Sequence, residues 1–302
     1  MDNPDMSSEA GVVSATDPPA VAASPEVTAG PALAGGLVYA LGTVGYDLPT
    51  RSRHASLQQQ MGEAGPDDPA ALLAHLDANP HDATAVQWTL NLQATPIYVI
   101  EPTGPFAHSA YELLRRFLRE QVDEGVERIS LAGHVIGAGR HRSGLELPVV
   151  EPEIRGMYSW TTEALVANVI EAAGAQDAPG EAGGARDEQV KAGVQNFLER
   201  VYYELRNLGR EPHERALNFA ATNAFEVERV YEQAIGEEME LDAIGVEPSS
   251  VCPPGSDCWD VQLVFFFPKQ PVQTVRRLYR FTIDVADVVP ATVGPMRSWS
   301  IR

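Results

Sequence analysis

The chain has 302 residues, 44% hydrophobic and 21% charged, enough to bury one large core or two of average size. With 42 acidic against 22 basic residues the formal net charge is −20, which excludes nucleic acid and anionic membrane as expected partners, since both require clustered Lys and Arg. No apolar run approaches the ~20 residues of a membrane span, and the N-terminus "MDNPDMSSEAGVV" lacks the basic and apolar regions of a secretory signal, so a cytoplasmic location is expected.

Residues 1–34 are rich in Ala, Pro, Ser and Gly. They carry Asp2, Asp5, Glu9, Asp17 and Glu26, with no basic residue before Arg51. Such a segment cannot bury enough apolar surface to offset its ordering entropy and reads as a disordered acidic tail. An N-terminal domain of α/β type is expected over 35–173. "GLVYALG" (36–42) and "PIYVIEP" (96–102) read as short buried strands. A helix is predicted over 105–123, with Leu113, Leu114, Phe117, Leu118 and Val122 on one face and a Ser109–Glu112 capping box near its start. "RISLAGHVI" (128–136) and "RGMYSW" (155–160) read as further strands, and "TTEALVANVIEAA" as a closing helix.

Gly, Ala and acidic residues then replace any periodicity over 174–187, which reads as a linker. The C-terminal domain, 188–302, is expected to be α+β. Val190, Val194, Phe197, Leu198, Val201, Leu205 and Leu208 trace one helical face, stopped by Gly209 with Pro212 beyond. A second helix is predicted over 214–235. Three strands follow as an antiparallel meander: "MELDAIGV", then "WDVQLVFFF", in which Trp259, Val261, Leu263, Phe265 and Phe267 alternate, then "RRLYRFTIDVADV", in which Tyr279, Phe281, Ile283 and Val285 alternate. The fold class expected of the whole is α+β, with one face of the meander packed on the two helices.

Signatures of chemistry are sparse. "HERAL" (213–217) begins like a zincin helix, but Leu217 stands where the second His must be. "GAGRHRSG" (137–144) lacks the Lys-Ser/Thr ending of a phosphate loop and lies between strands, so it reads as a hairpin tip. Its Arg140, His141 and Arg142 are nonetheless a positive island in an acidic chain, suited to an anion or carboxylate. No Gly-x-Ser-x-Gly elbow occurs. On the second C-terminal helix Asn218, Thr222, Phe225 and Arg229 recur at spacings of four, three and four and share one face. That stripe could grip a peptide backbone; alternatively Thr222 bonds back to a carbonyl a turn earlier and Asn218 satisfies a loop. Ala220, Ala221 and Ala224 beside it are small enough to admit a close neighbour.

Both cysteines, Cys252 and Cys258, fall in "SSVCPPGSDCWDVQLVFFFP" (249–268), with five residues between them. Three readings stand open: packed thiols, two ligands of a zinc site with the remainder drawn from residues such as His213 and Asp257, or a disulfide, which a reducing compartment disfavours.

Five stretches together resemble the C-terminal accessory region of the PatG-type cyanobactin maturation proteases. They are "LVYALGTVGYDL" (37–48), "RGMYSWTTEALV" (155–166), "ERVYYELRNLGREPHERALNFAATNAFE" (199–226), "CPPGSDCWDVQLVFF" (252–266) and "YRFTIDVADVVPATVGPMRSWS" (279–300). The resemblance implies a place in the biosynthesis of ribosomally made, post-translationally modified peptides. It does not bring the family's protease activity, because no Gly-Thr-Ser-Met/Ala segment of a subtilisin-like domain is present. The expected role is a non-catalytic accessory protein that binds the precursor peptide or a partner maturation protease, with Asn218, Thr222, Phe225 and Arg229 as the peptide-binding stripe. The alternative is a zinc-dependent hydrolase or peptide-modifying enzyme using Cys252 and Cys258. A homodimer is left open.

Overall fold

The first strand organises the fold. In the computed structural model, which describes residues 35–164, 167, 182–204, 207–222, 230, 233–234, 239–268 and 275–301, strand β1 spans Leu37–Asp47. The acidic tail, most of the linker, Phe225, Arg229 and much of the second C-terminal helix lie outside the described residues.

Leu37–Gly42 of β1 pairs with β4 (Arg128–Arg140), and Thr43–Asp47 pairs with β2 (Gln87–Leu92), both antiparallel. Gly42 marks the changeover: a Cβ there would collide with the Asn91 carbonyl oxygen, so only glycine lets the strands approach. β2 turns through Gln93 and Ala94, both at positive φ, into β3 (Thr95–Ile100). β3 lies parallel to β5 (Glu146–Pro152), and β5 antiparallel to β4. The order β1-β2-β3-β5-β4 thus returns to β1 and closes a barrel, with the short β6 (Ser159–Trp160) appended to β4. Helix α3 (Ala107–Asp123) connects the third and fourth strands. A five-stranded Greek-key barrel of this connectivity is the architecture of the OB fold. This half mixes strands and helices as expected of an α/β-type domain, but its strands close into a ring in which only β3–β5 is parallel.

The interior is filled by Val38, Ala40, Trp88, Leu90, Ile129, Leu131 and Val150, capped by Leu114, Phe117 and Leu118 of α3. Val122, expected on the same face, is exposed at the helix end. Ser109 caps nothing: α3 starts at Ala107, with Phe106 at the N-cap and no side-chain capping bond. The β1–β2 connection carries α1 (Arg51–Met61) and α2 (Pro69–Ala78). In α2, Asp68 caps the Ala70 N–H, Pro69 occupies the first turn, and Leu72, Leu73 and Leu76 are buried.

The C-terminal half contributes α4 (Ala182–Glu199), a π-helical turn (Arg200–Glu204) and α5 (Pro212–Thr222). α4 begins inside the stretch read as linker. The sheet that follows is β7 (Glu240–Pro248), β8 (Cys258–Phe266) and β9 (Arg276–Asp284), antiparallel as expected. β10 (Ala291–Thr292) and β11 (Arg297–Ile301) both add to β9, so the meander is the core of five strands. Val261, Leu263, Phe265, Tyr279, Phe281 and Ile283 face Val194, Phe197 and Leu198 of α4 and Ala216, Leu217, Ala220 and Ala221 of α5. Burial of a side chain such as Phe265 stabilises by about 1.5–3 kcal/mol.

Tyr39, Leu41 and Ala132 belong to this second cluster, whereas Val38 and Ala40 belong to the barrel interior. Alternate side chains of one strand therefore serve two cores. Residues 33–302 form one compact unit. Among the described residues no helix is long and apolar enough to cross a membrane.

Candidate functional site

The parallel β3–β5 seam is only two residue pairs long, Val99 with Val149 and Ile100 with Val150. Beyond it the chains diverge, one running to Thr103–Phe106 and α3, the other to Pro152–Arg155. The gap between them is a cleft of about 640 Å³, also lined by His134 of β4 and Glu151 of β5, which sit opposite each other in register. Phe106 stands beside it 72% exposed, an unusual position for a phenylalanine, with Pro105, Pro152 and Ile154 extending the apolar surface.

The polar groups are at fixed positions. Thr103 donates its hydroxyl to Glu151. Glu153 accepts from the Arg155 guanidinium at 3.0 and 3.3 Å and from the Arg155 N–H at 3.2 Å, and those side-chain bonds hold its carboxyl below the usual range. No Ser, Cys or Lys is among the described lining residues, and the only hydroxyl there is already given to a carboxylate. The cleft thus presents an apolar anchor ringed by a few oriented polar groups. Sequence reasoning did not find this cleft. Phe106 is in phase with the apolar stripe of α3 but stands at its N-cap, directly after Gly104-Pro105, so its spacing alone reads as core.

Asn218 and Thr222 are brought together, on Tyr39 of β1. Asn218 donates its amide to the Tyr39 carbonyl oxygen at 2.9 Å and is buried. Thr222 lies 2.9 Å from the Tyr39 hydroxyl and donates to the Phe219 carbonyl oxygen at 3.0 Å. The polar groups of these two residues are thus engaged within the fold, on the junction of α5 with the barrel. Burial pushes the Tyr39 hydroxyl above its ordinary range, against the opposing bond to Thr222. Phe225 and Arg229 lie outside the described residues.

Cys252 and Cys258 are joined as a disulfide, with Cα atoms 5.5 Å apart. Of the three open readings the disulfide is the one present, and the thiols are not free. The corner "PPGS" explains the closure: Ser256 N–H donates to the Pro253 carbonyl oxygen, with Pro254 and a positive-φ Gly255 between, as in a type II turn. Bonded to each other, the sulfurs are not thiolate ligands, and zinc here requires the reduced form. His213 packs its ring on Trp259, whose Nε1–H donates to Asp257 at 2.9 Å. Among the described residues no group of three or more His, Cys, Asp or Glu gathers to hold a metal, so this donor set does not fit a four-ligand zinc.

The barrel and the helix-backed sheet define a two-core α+β protein with an apolar-walled cleft at the barrel's end. Residues 37–142 match the family described as PatG Domain, and residues 184–299 the family described as PatG C-terminal. A solved structure described as "PatG Domain of Unknown Function" is similar with a TM-score of 0.78 at 38% identity, covering 88% of this chain and 100% of that one. No curated protein matches the chain. The chain belongs to the PatG family, as a PatG-type accessory region.

Proposed function

We propose that this protein is a recognition module of PatG-type, cyanobactin-like peptide biosynthesis that holds a precursor peptide against the cleft beside Phe106. Family membership supports the pathway, and the observation that carries the binding role is the exposed Phe106 over an apolar, oriented and nucleophile-free cleft. An extended peptide would set an apolar side chain on Phe106 and Pro152, and a basic one toward Glu151. The wider charge balance of −20 favours the same kind of ligand.

The test is an anisotropy titration with a labelled cyanobactin-type precursor peptide. The expected dissociation constant is tighter than about 1 mM and weakens at least tenfold in Phe106→Asp. Absence of binding, or an affinity indifferent to Phe106→Asp, removes this reading.

A further inference from the structure

At the C-terminal end of β4 lies a second cleft, of about 430 Å³, that the peptide reading above leaves unused. It is lined by Thr50 and Arg51 at the start of α1 and by Arg140, His141, Arg142 and Gly144 of the β4–β5 hairpin. Three guanidinium-bearing residues and an imidazole converge there, and no carboxylate is among the described lining residues. In a chain with nearly two acids for every base, such a concentration of positive charge works against the general field.

The hairpin is held in place from below. Asp47, the last residue of β1, lies 3.3 Å from His141 Nε2 and 3.5 Å from Arg142 Nη1. Ser143 N–H donates to His141 Nδ1 at 3.2 Å, so Nδ1 accepts and the Nε2 proton faces Asp47. One carboxylate is thus spent on orienting the tip. Arg51 and Arg140 are exposed and make no ion pair among the described residues; Glu146, opposite Arg140 in register, is not within bonding distance. The site keeps net positive charge after its internal neutralisation.

We propose that this cleft binds an acidic peptide segment, its carboxylates taken by Arg51 and Arg140 while Asp47 holds His141 and Arg142 behind them. Guanidinium groups match carboxylates in planar, paired hydrogen bonds. The place is also where barrels of this topology take ligands, between the β1–β2 and β4–β5 connections. A single-stranded nucleic acid is disfavoured by the net charge of −20 on the chain as a whole.

The experiment uses the full chain and three labelled probes at low salt: a short Asp/Gly peptide, its Asn/Gly counterpart and an oligothymidylate of equal length. The Asp/Gly peptide is expected to bind more tightly than about 1 mM, at least tenfold weaker in Arg51→Glu and in Arg140→Glu, and weaker as salt rises. Both positions are exposed, and unchanged thermal unfolding of the variants confirms intact folding. The Asn/Gly peptide should not bind, and Phe106→Asp should leave the Asp/Gly affinity unchanged, which separates this site from the other cleft. Four results overturn the proposal: no binding of the Asp/Gly peptide, affinity indifferent to both charge reversals, loss of that affinity in Phe106→Asp, or equal binding of the oligothymidylate.

Discussion

Asn218 of α5 donates its side-chain amide to the backbone carbonyl of Tyr39 on β1, 179 positions earlier in the chain, at 2.9 Å and out of solvent. The same tyrosine's hydroxyl meets Thr222 one helical turn further on. Two bonds on one residue thus fasten the second core to the barrel. Removing the amide leaves a buried carbonyl unpaired, so Asn218→Ala is expected to cost about 1–3 kcal/mol, and Tyr39→Phe about 0.5–1.5 kcal/mol. Urea unfolding at constant slope checks both. An unchanged midpoint for Asn218→Ala would contradict the described junction.

Gly209 presents a tighter constraint at the same place. Its φ is +69°, its carbonyl accepts from the Tyr39 N–H at 2.9 Å, and a Cβ on it would run into the Tyr39 carbonyl oxygen. Gly209→Ala should therefore lose more than about 2 kcal/mol, combining left-handed strain with a backbone clash. Thermal unfolding by circular dichroism reports it, and a near-neutral outcome would refute the close approach.

The disulfide closes a short loop, with a sequence separation of 6. Loop-closure entropy for so few residues corresponds to about 2 kcal/mol. Cys252→Ser with Cys258→Ser, or treatment with a thiol reductant, should lower unfolding stability by that order and leave the fold intact. Mass spectrometry of alkylated, unreduced protein must show both sulfurs unmodified; two alkyl adducts would mean that the pair is not closed.

Asp284 offers a pH test. Burial raises its carboxyl pKa, but bonds from the Ser256 side chain and from the N–H groups of Ala286 and Asp257 outweigh burial and leave it below the usual range. A carboxylate depressed in the folded state contributes stability above its unfolded pKa of about 3.9, and that contribution fades as pH falls through the folded value. Wild-type protein should therefore exceed Asp284→Asn in stability near neutrality, and the gap should narrow below about pH 4. A gap that stays constant with pH would exclude this role.

The C-terminal sheet could be read directly, because one face of β8 and β9 meets helices and the other carries polar side chains such as Asp260, Gln262 and Thr282. Val261, Leu263 and Phe265 then alternate with polar or half-exposed neighbours. Barrel closure could not be read in the same way. Each barrel strand carries an apolar run compatible with any partner, and pairs such as Leu37 with His134 join residues far apart in sequence. The stripe of Asn218 and Thr222 was legible as a face, but what that face touches depends on β1 arriving from the other half. The spacing puts Leu208 on the buried side of the helix, yet it is exposed, because the chain has left the helix before Gly209 docks on β1. The Phe106 cleft was invisible for a related reason: it exists only where two chains separate after a two-pair seam.

The strand that lends Val38 to one interior and Tyr39 to the other also limits how this protein can change through recombination. A crossover that exchanged the barrel for another, or trimmed the helix-backed sheet, would strip Tyr39 and Leu41 of their cover. Each half is therefore expected to keep its structure only while joined to the other.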